Sequence, residues 1–188
     1  MHDLIAITSL GGITAQIDSF AGLEISEQPN WALASISARR GQIISVQAAA
    51  VTLLGTKLPD VGQSASGNAM TVFWIGPDQW MAEADLSSHE NLASMLKMSF
   101  QASASVTEQT DGWARFDVKG PHLVALFERL CPLRIKTMNS GDSSRTAIDH
   151  LSCFVICRIP SQHVSVLCPR SGTASLHHTL CITAASLG

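Results

Sequence analysis

Apolar and polar positions along this chain follow a pattern that occurs twice. Residues 31–38 alternate as a strand does, and Arg39-Arg40-Gly41 leads into residues 42–54, where Ile43, Val46, Ala50 and Leu53 share one helical face before Gly55 supplies a left-handed stop. Residues 58–68, rich in Gly, Ser and Pro, read as a loop. Residues 71–75 and 80–84 then read as two strands joined by the turn Gly76-Pro77-Asp78-Gln79. Ser87 and Glu90 have the spacing of a capping box, ahead of Leu92, Met95, Leu96 and Ser99 at helical spacing. This pass reads β-α-β-β-α.

The second pass opens 82 residues later, where Trp113-Ala114 echoes Trp31-Ala32. Residues 113–118 alternate as a strand, and Pro121 presets φ for a first helical turn. Leu123, Leu126, Phe127 and Leu130 follow at i, i+3, i+4 and i+7 until Pro132 ends the helix. A loop over 133–144, one long strand over 147–159, a turn at Pro160-Ser161-Gln162, a strand over 163–168 and a helix over 171–185 complete it. Residues 104–109 read as a strand, and Asp111-Gly112 is the strongest hairpin signal in the chain. Residues 1–22 carry Gly11-Gly12 and little pattern, and read as a lead-in. A period this long is not that of a solenoid, whose repeats run to roughly 20–50 residues. The expectation is an α+β fold of two tandem units, 1–102 and 103–188, packed as one two-lobed subunit.

Composition narrows what such a fold does. Charged residues make up 14% of the chain against roughly 25% in an average soluble domain, and 46% are hydrophobic. A surface so poor in charge either relies on Ser, Thr, Gln and Gly for solvation or meets a partner. The apolar run 43–54 falls short of the roughly 20 residues that span a bilayer. No Lys or Arg precedes Arg39, so the apolar start at residues 4–7 lacks the basic flank of a secretory signal, and a cytoplasmic location is expected. Five cysteines without dense spacing read as reduced, packed thiols. A net charge of -3 with scattered basic residues argues against nucleic acid.

Searched for chemistry, the sequence offers little. No two glycines stand two apart, which excludes the G-x-G-x-x-G dinucleotide turn, and none stand as in G-x-S-x-G. Gly62 to Gly67 has the spacing of a phosphate loop, but Asn68-Ala69 replace its Lys and Ser/Thr. His177 and Cys181, at i and i+4, could share a face toward a metal with Cys168 upstream; without a C-x-x-C they read instead as a half-buried histidine beside a core cysteine, and no metal is expected. Cys153 and Cys157 read as core thiols. Cys131 with His122 lacks a group to orient the histidine. Asp142, Arg145, Asp149 and His150 form the densest polar cluster, which either lines a small-molecule pocket or is a solvated loop. Trp74 and Trp80 flank a short turn, where such rings either cap the local core or anchor an interface. These two are the interface candidates. No catalytic or cofactor-binding residue is assigned.

Trp74-Ile75-Gly76-Pro77-Asp78-Gln79-Trp80-Met81, Thr110-Asp111-Gly112-Trp113, Gly120-Pro121 with its helix, Leu130-Cys131-Pro132-Leu133, Arg145-Thr146 and Pro169-Arg170-Ser171 stand in an order and spacing that resembles the sarcosine oxidase gamma-subunit family. The resemblance covers roughly residues 23–185. It implies a fold related to the folate-binding aminomethyltransferases, and a non-catalytic role beside alpha, beta and delta chains in oxidative demethylation of sarcosine to glycine. It places FAD, FMN, NAD, tetrahydrofolate and zinc in those partner chains. The alternatives are a free-standing folate-binding or aminomethyltransferase-like protein, with Asp142 or Asp149 as the acid meeting the pterin, and a scaffold for another N-methyl amino acid oxidase.

Overall fold

The computed structural model describes residues 5–188, and the reading of residues 1–4 as part of a lead-in lies outside them. Along the chain run β1 (Ile17–Phe20), β2 (Leu23–Glu27), β3 (Trp31–Ala38), α1 (Ile43–Leu54), β4 (Ser64–Gly67), β5 (Met70–Gly76), β6 (Gln79–Asp85), α2 (Leu86–His89), α3 (Leu92–Phe100) and β7 (Ala104–Glu108). There follow β8 (Trp113–Lys119), α4 (Leu123–Leu130), β9 (Ser143–Ile148), β10 (Leu151–Ile159), β11 (His163–Pro169) and α5 (Thr173–Ala185). The class is α+β, as the doubled pattern predicts. Among the described residues, no helix is long and apolar enough to cross a membrane.

Two compact units result. One comprises Asn30–Thr110 with Gly141–Ser144, the other Met1–Pro29, Asp111–Ser140 and Arg145–Gly188. They are not successive halves cut between residues 102 and 103, because each strand that precedes a repeat pairs into the other repeat's sheet. In the Trp31 unit the sheet order is β4-β5-β6-β3-β7; in the Trp113 unit it is β1-β2-β8-β11-β10-β9. Thus β7, which leads into the second repeat, pairs antiparallel with β3, while β2, which leads into the first, pairs antiparallel with β8. The "lead-in" is itself a hairpin: β1 and β2 pair across a turn at Ala21-Gly22.

In the Trp31 unit, α1 and α3 cover one face of the sheet. Val46, Ala50 and Leu54 of α1 and Leu92, Leu96 and Phe100 of α3 pack on Ala32, Ala34, Ile36, Val72, Ala82 and Ala84. Four alanines on that face let the helices approach closely, and the Trp80 ring fills the space they leave. Gly55 ends α1 at φ +73°, its N–H donating to Val51 O, as expected. The capping box does not form. Asp85 is the cap instead: it accepts from the Ser87 N–H at 2.9 Å and from the Ser87 hydroxyl, and a four-residue α2 precedes α3. A carboxylate two residues ahead of Ser87 outcompetes a hydroxyl for the helix-start amides.

The Trp113 unit repeats this plan. Leu123, Leu126 and Phe127 of α4 and Leu176, Leu180 and Ala184 of α5 pack on Ile25, Phe116, Val118, Val155, Val164 and Val166. Two differences from the sequence expectation have one cause, a two-residue turn without glycine. The expected single strand over 147–159 is broken at Asp149 and His150, with φ of +48° and +64°, and the expected loop before β5 hides β4, which turns at Asn68 and Ala69 with φ of +42° and +66°. Both are the positive-φ geometry of tight hairpins, adopted by three residue types that tolerate it, Asn, Asp and His, and by Ala69, which does so against its preference. Conversely, Asp111-Gly112 makes no hairpin. Gln109 N–H and the Thr110 hydroxyl hold the chain along Leu33 of β3, and a 3₁₀ turn over Thr110–Gly112 then carries it away to β8 in the other sheet.

Gly120 marks the end of β8, where the chain passes the Ala21-Gly22 turn. A Cβ on Gly120 would lie 2.2 Å from Gly22 O, and the residue sits at φ +131°. Gly120→Ala is therefore expected to lower stability by the roughly 1–3 kcal/mol of the backbone conformation plus the cost of parting two chain segments. Urea unfolding checks this, and a loss under about 1 kcal/mol would contradict the close approach.

Candidate functional site

The residues singled out in the sequence scatter when placed. Trp80 is buried in the core of the Trp31 unit, 4% exposed, and its indole Nε1–H donates to Pro59 O at 2.8 Å. It packs within its own unit and offers no face to a partner, which corrects its place among the interface candidates. Trp74 stands directly opposite it in the β5–β6 pairing and is half-buried, packed against the same core. Cys131 and His122 lie beyond opposite ends of α4, about 12 Å of helix apart, so they form no nucleophile pair. Burial raises the Cys131 thiol, which borders a cavity of about 410 Å³ with Glu128, Arg134 and Thr137. Burial likewise pushes Cys153 up to about 11 and Cys168 up to about 12, as expected of packed thiols.

The polar cluster is dispersed. The Gln63 side-chain amide donates to Asp142 at 2.8 Å, Arg145 donates to Ser152 Oγ at 2.8 Å and lies over the Phe154 ring, and Thr179 Oγ1 donates to Asp149 at 3.0 Å. Asp142 is half-buried and Asp149 is exposed.

A buried polar network that the sequence did not single out lies on β8 and β11. Arg115 and Asp117, two apart and thus on one face of β8, are each 6% exposed. Arg115 Nε and Ser165 Oγ donate to one oxygen of Asp117 at 3.0 and 2.7 Å, Arg115 also reaches the other oxygen at 3.3 Å, and His163 Nε2 lies 3.2 Å from it. Arg158 Nε donates to Ser165 Oγ at 2.9 Å. Desolvation by itself would raise the Asp117 carboxyl; the His163 ring, the Arg115 guanidinium and the Ser165 hydroxyl outweigh it and hold the group well below the usual carboxylate range. With its oxygens so engaged, Asp117 ties two central strands together and is a structural anion.

A second constellation is nearer the surface of the same unit. Asp18 of β1 pairs with Ile25, which pairs with Val118, so a row of apolar residues ends in a carboxylate at the sheet edge under α5. There His177 Nε2 lies 2.7 Å from Asp18 Oδ2 and 3.3 Å from Cys181 Sγ. The ring stacks on Phe116 with centroids 5.7 Å apart. Burial, then the Asp18 charge, push the Cys181 thiol up to about 11. The sequence offered Cys168 as the companion of this pair; the fold buries Cys168 in the core and brings Asp18 instead.

A third feature is a surface. Helix α1 carries no charged residue, and while Val46, Ala50 and Leu54 face the core, Ile44, Ala48 and Val51 form an exposed stripe at i, i+4 and i+7, with Ile44 82% exposed. Such a stripe, beside the exposed Ser45 and Thr52, is what a partner would cover.

No protein-family model matches the sequence, and no curated protein matches it. Solved structures do. A chain of heterotetrameric sarcosine oxidase from Corynebacterium sp. U-96, in complex with pyrrole 2-carboxylate, superposes with a TM-score of 0.76 at 19% identity, over 91% of this chain and 88% of that one. Glycine cleavage system aminomethyltransferase T from Bartonella henselae superposes with a TM-score of 0.72 at 12% identity, over 94% of this chain and 57% of that one. This chain thus spans little more than half of the aminomethyltransferase. The fold is aminomethyltransferase-like, and at these identities the likeness is one of fold.

Proposed function

We propose that this chain is a non-catalytic subunit of the gamma type in a heterotetrameric, sarcosine oxidase-like enzyme. The flavin, nicotinamide, tetrahydrofolate and zinc chemistry then belongs to alpha, beta and delta partners. The observation that carries this reading is the end-to-end match: 91% of this chain against 88% of a sarcosine oxidase chain, where the match to the aminomethyltransferase leaves 43% of that enzyme without a counterpart, the remainder of the 57% covered. The uncharged α1 with its exposed stripe of Ile44, Ala48 and Val51 supports an assembled state, because a free surface rarely keeps such a stripe. The buried Arg115-Asp117-Ser165 network fits the same role, since its groups are spent on tying β8 to β11.

Co-expression with the products of neighbouring genes, purified through a tag on this chain, tests the proposal. A stable complex that oxidises N-methyl amino acids, from a chain inert alone, is the expected result. A chain that stays free beside soluble partners would sink it. Ile44→Glu with Val51→Glu is expected to weaken capture of the partners by at least about tenfold, the equivalent of roughly 1.4 kcal/mol. Thermal stability of the chain should stay within about 0.5 kcal/mol of the parent, as at other surface sites. Wild-type capture by that variant would move the interface off α1. The second reading, a free-standing folate-binding protein, draws on the match of 94% of the chain to an aminomethyltransferase; micromolar binding of tetrahydrofolate by the isolated chain would favour it.

A further inference from the structure

We propose that Asp18, His177 and Cys181 form a binding site for Zn²⁺, with water in the fourth position. It is independent of the subunit reading. The three donor atoms lie within 4.8 Å of one another, supplied by a strand and by one face of a thirteen-residue helix in the same unit. Nitrogen, oxygen and sulfur together are the donor set that a borderline-soft dication takes.

The geometry distinguishes a metal site from the other uses of these residue types. In a Cys-His-Asp nucleophile the carboxylate holds one ring nitrogen while the other faces the thiol. Here Asp18 at 2.7 Å and Cys181 at 3.3 Å both approach Nε2. A ring nitrogen presents one proton or one lone pair in its plane. A proton at Nε2 serves the carboxylate and leaves the sulfur beside a donor already engaged, whereas a cation serves nitrogen, oxygen and sulfur at once.

The adjustment needed is small. Bonds of about 2.0–2.2 Å to N and O and about 2.3 Å to S, at tetrahedral angles, set donor separations of roughly 3.3–3.7 Å. The sulfur already stands 3.3 Å from Nε2, the carboxylate on β1 at the sheet edge would retreat from Nε2 by about 0.6 Å, and the Asp18 oxygen and Cys181 sulfur, within 4.8 Å of each other, would settle into the same range. A carboxylate and a thiolate balance the ion's charge, the thiol releasing its proton as the metal binds. Outer contacts hold the donors: the Gln16 side-chain amide donates to both Asp18 oxygens at 3.2 Å, and Phe116 stacks on the His177 ring. The side chains of His177 and Asp18 are 17% and 27% exposed, which leaves an entry path and room for water.

The test uses the untagged full chain, stripped with a chelator and titrated with Zn²⁺ and then Co²⁺. One equivalent of zinc should survive dialysis and raise the melting temperature, and the cobalt form should show a thiolate-to-cobalt charge-transfer band with tetrahedral ligand-field absorption. Asp18→Asn, His177→Gln and Cys181→Ser should each weaken zinc binding at least tenfold, and Cys181→Ser should abolish the charge-transfer band; His178→Ala, at the exposed neighbour, should change neither. Absence of stoichiometric binding, a cobalt spectrum without thiolate character, or equal affinity in the three variants would each overturn the proposal. The cobalt spectrum of the parent chain decides the matter even if a variant fails to fold.

Discussion

Replacing Trp80 by alanine is expected to cost the chain about 3–5 kcal/mol, the range for emptying a large aromatic from a packed core. The ring fills the space left by four alanines on the sheet face of the Trp31 unit, and its Nε1–H is the partner of Pro59 O. Truncation removes both at once, and Trp80→Phe separates them, since it keeps most of the volume while leaving a buried carbonyl short of a donor at about 1–3 kcal/mol. Urea unfolding followed by circular dichroism measures each. An alanine variant that keeps parental stability but fails to capture partner chains would return Trp80 to the interface.

Asp117→Ala should be nearly as damaging, about 3–5 kcal/mol, because it removes from a buried site the carboxylate to which the Arg115 guanidinium and the Ser165 hydroxyl donate. The same residue sets an acid limit. Its folded pKa lies below the unfolded value of 3.8, so its contribution is fully present above that pH and is lost as pH falls from there toward the folded value. Asp18 and Glu27 are also lowered, despite a desolvation contribution in the other direction, Asp18 by His177 and Gln16 and Glu27 by contacts from Ser9 and the Leu10 amide. They add to acid lability, Asp18 as pH falls below 3.8 and Glu27 as it falls below 4.5. Comparing the parent with Asp117→Asn isolates the one residue: the stability gap should be constant from pH 7 to about 5 and narrow below pH 4. A gap that held unchanged to pH 3 would mean the carboxylate is not lowered.

Much of this architecture is legible in local sequence because local physics decides it. Residues of α4 repeat at helical spacing between a proline start and a proline stop, and Gly76-Pro77-Asp78-Gln79 turns β5 into β6 with Asp78 at φ +55°, so no distant contact is needed to place them. The errors fall where distance or context rules. Ile17–Phe20 is a four-residue edge strand with every second residue exposed, too short to announce itself without β2 beside it. Asp149-His150 turns a hairpin without the glycine that would have flagged it. Asp111-Gly112 carries the flag, but the strands on either side belong to different sheets. The candidate metal site shows the limit most plainly, since Asp18 and His177 are separated by 159 residues and no spacing rule joins them. For the tryptophans, the low charge of the chain pointed to an interface, whereas Trp80 lies in the core and the exposed apolar side chains Ile44 and Val51 stand on α1.

The exchange of leading strands has a consequence for synthesis on the ribosome. Ser26 of β2 bonds to Asp117 of β8 across 91 residues, and β8 in turn needs β11. The sheet of the Trp113 unit therefore cannot close until most of the polypeptide has emerged, and β2 waits with its edge unpaired while the whole Trp31 unit is made. That is a high-contact-order fold with an exposed strand edge in its nascent state, the condition under which translation speed and holding chaperones govern yield. Splitting the gene between the repeats would leave each product with the other's strand.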